Sequence, residues 1–239
     1  IILMMDLGDI REGYVDEEEL IAAAVETEKL SHVDLYGIGT NLTCFSFIQA
    51  DEEKMERLAE MRKKVENAAG HTLEIVSGGN SAALDLMMRG GICEGVDNFR
   101  LGESLLFGKE RSRYTFLPGT RNDGFILECE VVEAKVKPSL PWGTAGVDSY
   151  GRKPVFTNRG EKRKKVICAI GRQDFDAETA TPVDEGILIL GASSDHLMLD
   201  VTDSVKEYKV GDIVELRLGY FSVLRAFTSP YVEKIFLKK

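Results

Sequence analysis

Cysteine and histidine are scarce in this chain, with 4 and 3 copies among 239 residues. Cys44, Cys93, Cys129 and Cys168 stand far apart, with no Cys-x-x-Cys pair and no clustered histidines, so a zinc site of the usual ligand spacing is excluded. Reduced thiols are expected instead, as in a cytoplasm. No apolar run approaches the roughly 20 residues that cross a bilayer, so no membrane span is expected. Positive charge is in deficit: 30 lysines and arginines face 40 aspartates and glutamates, for a net charge of -10. Nucleic acid or an anionic membrane would be repelled at long range, which leaves a small molecule as the expected partner. Low-complexity tracts are absent. Ile1 to Asp6 has no basic region before it and no small-residue cleavage site after it, so it is not expected to be a secretion signal. That segment reads as a strand, and a chain that opens inside a buried strand without an initiator methionine is expected to lack residues upstream.

The first half alternates strand-like apolar runs with amphipathic stretches, the pattern of β/α units on a parallel sheet. Ile1 to Leu7 leads to a helix from about Glu17 to Leu30, with Asp16 as N-cap and Glu19 as its capping-box partner. Val33 to Gly39 leads to a helix over Asp51 to Ala69, ended by Gly70. Leu73 to Val76 precedes a helix over Ser81 to Arg89, and Phe99 to Leu101 precedes one over Glu103 to Phe107. From about Asn122 the texture becomes short β-rich runs, Phe125 to Val136, Lys165 to Ile170, Ile187 to Leu190, His196 to Val201 and Ile213 to Leu218, separated by Gly, Pro and Asp. The expected fold class is α/β: a partial β/α barrel over residues 1–118, followed by an all-β domain over residues 119–239, joined at the Pro118-Gly119 turn.

In parallel β/α architectures the working residues lie at the C-terminal ends of the strands. Here those ends are Asp6-Leu7-Gly8-Asp9-Ile10-Arg11-Glu12-Gly13, Gly37-Ile38-Gly39-Thr40-Asn41, Ser77-Gly78-Gly79-Asn80-Ser81 and Arg100-Leu101-Gly102-Glu103. The third and fourth place small residues before a helix N-terminus, where free backbone N–H groups suit an anion such as phosphate. Eight-stranded barrels often bind phosphate with the loops after strands 7 and 8, so these units would be the last two of a barrel. Taken singly, Arg11 and Arg100 also read as surface ion-pair residues, and His196 of Ser193-Ser194-Asp195-His196 as a hydrogen-bonded structural histidine.

Taken in order, these segments resemble the C-terminal part of the fold-type III pyridoxal-phosphate enzymes of the alanine/ornithine racemase family. The likeness is strongest to the ornithine-racemase branch, through Gly37 to Cys44, Ser77 to Ser81, Ile170-Gly171-Arg172-Gln173-Asp174 and Leu190 to His196. The resemblance implies an eight-stranded barrel, half of it present here, and a β-domain that caps the partner's barrel in a homodimer. It implies pyridoxal 5'-phosphate as cofactor, with Ser81, Gly102 and Glu103 at the phosphate, Arg100 facing the pyridine nitrogen and Arg11 near the phenolic oxygen. Asn41 stands where alanine racemases place a histidine against the ring. Arg172, Asp195 and His196 are implied at the substrate.

Three departures matter. Trp142 stands in the place of the acid/base tyrosine, and indole cannot exchange a proton there, so Tyr150, Asp148 and His196 are the candidate replacements. The phosphate-binding tyrosine falls at Pro230, with Tyr231 adjacent. The Schiff-base lysine, which the family carries at the end of the first barrel strand, has no counterpart: Lys29, Lys54, Lys63 and Lys64 lie in helices. The expected activity is interconversion of L- and D-amino acids by removal and return of the α-proton, in a chain that lacks the cofactor lysine and is inactive alone. A non-enzymatic pyridoxal-phosphate carrier on the same barrel, or an inert fragment, are the alternatives.

Overall fold

The computed structural model describes residues 1–148 and 151–237. The chain divides into two compact units, Ile1–Asn122 and Asp123–Lys239. In the first, β1 (Ile2–Met4), β2 (Gly37–Gly39), β3 (Ile75–Asn80) and β4 (Asn98–Arg100) form a parallel sheet in that order. Helices α1 (Glu17–Thr27), α2 (Glu52–Ala69), α3 (Leu84–Met88) and α4 (Glu103–Phe107) follow the successive strands.

Local chemistry sets the helix ends. Asp16 caps α1 by accepting from the Glu18 and Glu19 amides, and Asp51 caps α2 by accepting from Lys54 N. Gly70 closes α2 in the left-handed conformation at φ 81°. Along α2, Met55, Leu58, Ala59, Met61 and Val65 recur at helical spacing and bury one stripe. That stripe meets Ile38 and Val76 of the sheet together with Leu20 and Ala24 of α1, making one apolar core. Strand alternation sends the neighbouring positions to the opposite face, where Gly37, Gly39 and Ser77 carry little or no side chain. A Cβ at Gly37 would stand 2.1 Å from the Ile75 carbonyl oxygen, so only glycine fits there.

The third unit differs from the reading of its sequence. β3 runs to Asn80, through the Ser77-Gly78-Gly79-Asn80 segment whose composition suggests a turn, and the following helix opens with a 3-10 turn over Ser81–Ala83. Packing is the reason: a Cβ at Gly78 would meet the side chains of Val96 and Phe99 at 2.7 and 2.8 Å, so glycine there lets the strand press against its neighbours.

The second unit is a six-stranded antiparallel sheet in the order β7-β10-β5-β6-β9-β8. Its strands are β5 (Ile126–Lys137), β6 (Arg163–Cys168), β7 (Ala180–Pro182), β8 (Leu188–Ala192), β9 (Leu197–Asp200) and β10 (Ile213–Leu218). The edge strands β7 and β8 approach each other, so the sheet nearly closes into a barrel. Leu127, Cys129 and Val131 alternate inward along β5. The β texture is broken by one helix, α5 (Tyr220–Thr228), which the sequence reading does not anticipate. Its aromatic and β-branched residues favour strands. Tertiary bonds fix it instead: Ser222 Oγ donates to the Asp176 carbonyl at 2.5 Å, and Ser222 N to Thr179 Oγ1 at 3.0 Å. All four cysteines are free.

One buried carboxylate organises the turn after α4. Glu110 accepts from the amides of Ser112, Arg113 and Thr115 and from the hydroxyls of Ser112 and Thr115. Burial pushes its pKa up, and these donors outweigh burial, holding the carboxyl below its ordinary value. A folded pKa below the unfolded one adds stability above the unfolded value and loses it as pH falls through the folded one. Glu110→Ala should therefore cost about 1.5–3 kcal/mol at neutral pH, the range for hydrogen bonds to a charged group. Thermal melts of the two proteins should converge as pH falls below the carboxylate range; a constant gap would contradict this account.

Candidate active site

The C-terminal ends of β1 to β4 gather polar loops on one side of the first unit. Asp6, just past β1, is buried, and its carboxylate accepts from the amides of Gly8, Ile10 and Arg11. Asp9, 1% exposed, accepts from the amides of Cys44, Phe45 and Ser46 and so ties the loop after β1 to the loop after β2. Ile10, Thr43 and Phe47 in these loops take left-handed backbone angles of φ 52°, 67° and 59°. Non-glycine residues hold such angles only where surrounding bonds over-determine them.

Those loops carry two arginines with different surroundings. Arg11 makes a fork with its neighbour, Nη2 to Glu12 Oε1 at 2.7 Å and Nε to Oε2. The bond to Glu12 holds the Arg11 guanidinium above its ordinary pKa and the Glu12 carboxyl below its own. Arg100, at the end of β4, donates to Ser77 Oγ at 2.5 Å and to the Thr40 carbonyl at 2.8 Å, both neutral acceptors. Desolvation lowers its pKa, with Glu12 and Cys44 opposing and Arg11 adding repulsion. Arg100 lies over bare backbone, since a Cβ at Gly39 would stand 3.4 Å from Nη1. The Thr40 hydroxyl beside it is buried without a hydrogen-bond partner.

Asn41 and Ser81 complete this side. Asn41 is buried and accepts at Oδ1 from Asn80 Nδ2 at 2.6 Å. Ser81 Oγ accepts from Gly102 N at 3.3 Å and Ser104 N at 3.2 Å, and lies 3.0 Å from Ser104 Oγ. A hydroxyl has two lone pairs and one hydrogen, so Ser81 spends its hydrogen on Ser104, and the Ser104 hydrogen is the free one. The amides expected to face an anion directly thus point at Ser81, and the Glu103 amide alone in that turn has no partner among the described residues. Burial raises the Glu103 carboxyl, opposed by Arg111 at 3.5 Å.

Of the residues singled out in the sequence, Arg11, Asn41, Ser81, Arg100, Gly102 and Glu103 therefore share one side of the first unit. Asp6, Asp9, Glu12 and Asn80, which the sequence placed in the strand-end segments without an individual role, join them, as does Ser104. Arg172, Asp195 and His196 come together in the second unit. Arg172 Nε donates to the Ala192 carbonyl at 2.8 Å and its amide to the Ser193 carbonyl, while His196 Nδ1 lies 3.0 Å from Asp195 Oδ1. A Cβ at Gly171 would strike the Asp195 amide at 2.3 Å, which explains the glycine before Arg172. The His196 bond holds the Asp195 carboxyl below its ordinary value. Trp142 and Tyr231 are exposed, and Tyr150 lies outside the described residues. Among the described residues no three or more His, Cys, Asp or Glu cluster to hold a metal, and no helix is long and apolar enough to cross a membrane. The lysines of the first unit, Lys29, Lys54, Lys63, Lys64 and Lys109, lie in or just after helices, and none stands on a strand or directly after one.

A parallel β/α sheet with arginines and serines at its strand ends, followed by a nearly closed antiparallel sheet, defines a barrel-plus-β-domain protein of the alanine racemase fold. The structure of alanine racemase from Bartonella henselae with covalently bound pyridoxal phosphate matches it with a TM-score of 0.56 over 90% of this chain and 56% of that one, at 20% identity. The alanine racemase N-terminal domain family matches residues 1–110. The chain is 45% identical to the ornithine racemase of Acetoanaerobium sticklandii over 234 residues, 98% of this chain and 66% of that protein. It is 42% identical to the lysine racemase of Thermotoga maritima over 236 residues, 99% of this chain and 65% of that protein. The chain belongs to the alanine racemase family, and it spans about two thirds of the length of these relatives.

The Asp9 clamp yields a direct test. Asp9→Ala leaves three amides without their acceptor, at a cost of about 1.5–3 kcal/mol. Hydrogen exchange at Cys44, Phe45 and Ser46 should become fast while the β3 amides stay protected. Unchanged protection at those three residues would show that the loop is held by something else.

Proposed function

We propose that this chain supplies the arginine and phosphate side of a pyridoxal-phosphate-dependent amino-acid racemase acting on ornithine or lysine, a cytoplasmic homodimer. The observation that carries this reading is the convergence of Arg11, Arg100 and the Ser81–Ser104 hydroxyl pair at the strand ends of a chain 45% identical to an ornithine racemase. The donor set suits a phosphorylated ring: a free Ser104 hydrogen, the Glu103 amide, open space beside Gly102 and two guanidinium groups. When bound, the cofactor supplies an electron-withdrawing ring that acidifies the α-carbon of the amino acid joined to it.

The chain's own residues then have distinct tasks. Ser81, Gly102 and Glu103, with Ser104, would hold the phosphate. Arg100 has neutral acceptors only, so its charge is available to face the ring nitrogen and keep that nitrogen from taking a proton. Arg11, already paired with Glu12, would serve the phenolic oxygen side. Racemisation needs acid/base groups on opposite faces of the α-carbon. His196 is the described candidate in the second unit: Asp195 holds its Nδ1, which leaves Nε2 to carry the proton. Tyr150 is the other candidate, and Arg172 would stand with Asp195 at the substrate.

The covalent link has no counterpart in the described residues 1–122, so the lysine is proposed to come from outside them. Mixed with pyridoxal phosphate and reduced with borohydride, the chain should carry no pyridoxyl group on Lys29, Lys54, Lys63, Lys64 or Lys109. A stoichiometric adduct on any one overturns this part.

The activity is tested by a chimera in which these 239 residues replace the matching segment of the Acetoanaerobium sticklandii ornithine racemase. It should bind the cofactor and convert L-ornithine or L-lysine to the D-form, read by chiral chromatography. Arg100→Glu in the chimera should divert part of the turnover to keto acid, because a carboxylate there favours a protonated ring nitrogen. A folded, cofactor-loaded chimera that racemises neither amino acid would sink the racemase reading.

A further inference from the structure

The side-chain amide of Asn80 has its orientation fixed by the backbone. Its Oδ1 accepts from the Ala82 amide at 2.7 Å, and a backbone N–H can only donate, so the other end of the Asn80 amide must be the NH2 group. That group donates to Asn41 Oδ1 at 2.6 Å, to the Leu42 carbonyl at 2.9 Å and to Cys44 Sγ at 3.2 Å. Asn41 is thereby fixed in turn. Its oxygen faces Asn80, with Cys44 Sγ 3.7 Å away, so its own NH2 group points elsewhere. Asn41 is 7% exposed, yet its Nδ2 has no hydrogen-bond partner among the described residues. Unlike the Thr40 hydroxyl, which is sealed from solvent without a partner, Nδ2 keeps some solvent contact on the side where the strand-end loops gather. A mostly buried donor left unpaired costs free energy unless a ligand or water takes its hydrogens.

We infer that Asn41 donates a hydrogen bond from Nδ2 to an oxygen of bound pyridoxal phosphate, and that Asn80 is the positioning residue that turns this donor toward the ligand. The inference rests on the cofactor reading above. It gives position 41 a directional polar contact in place of the ring-on-ring packing that the resemblance implies for a histidine there. The surroundings favour an anionic acceptor, because the guanidinium groups of Arg11 and Arg100 lie on the same side. The polarity runs without a break from Ala82 N–H through Asn80 to Asn41, and Asn80 immediately precedes Ser81. The residue that positions the donor and the proposed phosphate site thus share one turn.

The test uses the full chain and pyridoxine 5'-phosphate, the alcohol form of the cofactor, which forms no imine with lysines. Binding is measured by calorimetry beside inorganic phosphate. Asn41→Asp keeps the shape and replaces the donor with a carboxylate. It should weaken pyridoxine 5'-phosphate at pH 8 by about tenfold or more, the loss of one hydrogen bond to a charged acceptor. Inorganic phosphate should be nearly unaffected. The ratio between the two proteins should shrink as pH falls through the carboxylate range, because the protonated Asp donates again. The other titratable groups around position 41 are the Cys44 thiol, Arg11, Glu12 and Arg100; both proteins contain them, so the ratio isolates the substitution.

Asn80→Asp retains the acceptor for Ala82 N–H but removes the NH2 group. It should also weaken pyridoxine 5'-phosphate and be less than additive with Asn41→Asp. It carries the test alone if Asn41→Asp fails to fold. Wild-type affinity in folded Asn41→Asp at pH 8, or an equal loss at every pH, overturns the inference and leaves the cofactor reading standing. No binding of pyridoxine 5'-phosphate by the unsubstituted chain overturns the cofactor reading and this inference with it.

Discussion

Backbone amides need acceptors wherever a short strand stops before its helix begins, and in the first unit those acceptors are buried carboxylates. Asp6 takes three amides from the loop after β1, Asp9 takes three from the loop after β2, and Glu110 takes three from the turn after α4. The exposed Asp97 accepts from the Val76 amide inside β3 and also pairs with Arg62. An ionised carboxylate offers about four lone-pair sites, so each can fix several residues at once. Because amides satisfy Asp6 and Asp9, these carboxylates make no demand on the neighbouring arginines. Arg11 is then held by Glu12 and Arg100 by two neutral acceptors.

The two arginines lie close enough to repel, and their separate arrangements resolve this. Arg11 has a carboxylate of its own in Glu12, and the fork between them leaves little net charge at that end. Arg100 has no carboxylate bonded to it and loses hydration, yet it keeps its two neutral acceptors. A guanidinium in that state gains from an incoming electron-rich atom more than one already paired. The glycines beneath it serve the same end. With Gly39 and Ser77 on the pocket face of β2 and β3, the Arg100 side chain can lie flat across the sheet. On the opposite face Ile38 and Val76 bind the sheet to α2.

Much of this was legible in the sequence, and the exceptions have identifiable causes. The caps at Asp16 and Gly70 and the helix from Asp51 are local signals, and the structure realises them within a residue or so, with Asp51 serving as N-cap. The strand-end positions of Arg11, Asn41, Ser81 and Arg100 followed from the β/α rhythm, because the rhythm itself places loop residues at one end of the sheet. The extension of β3 through Ser77 to Asn80 did not follow, since Gly78 answers to the side chains of Val96 and Phe99, some twenty residues away. Helix α5 was hidden because Tyr220 to Phe227 has strand composition and owes its form to Asp176 and Thr179. Asp6 and Asp9 stood in the first strand-end segment with no role assigned to them. Asp6 accepts from amides two to five residues on, but the role of Asp9 depends on closures of 35 to 37 residues, to Cys44, Phe45 and Ser46, which no local window contains.

The phosphate side shows how folding changes the meaning of a motif. Small residues before a helix suggested a cup of free amides, but Ser81 enters that cup and takes the amides of Gly102 and Ser104 itself. Its lone pairs being used, its hydrogen passes to Ser104, and the donor presented to a ligand is displaced one hydroxyl further along. The amide dipoles still act through this relay, because each bond polarises the next. Glu103 is the one group there that would oppose an anion, and two features limit its opposition. Burial raises its pKa and so favours the neutral form, and Arg111 stands close enough to compensate whatever charge remains. A site so nearly neutral attracts a phosphate less by charge at long range than by fitted donors at contact. Under the proposed function, that arrangement would suit a phosphate whose attached ring is anchored independently by Arg11 and Arg100, and it would hold free inorganic phosphate only weakly.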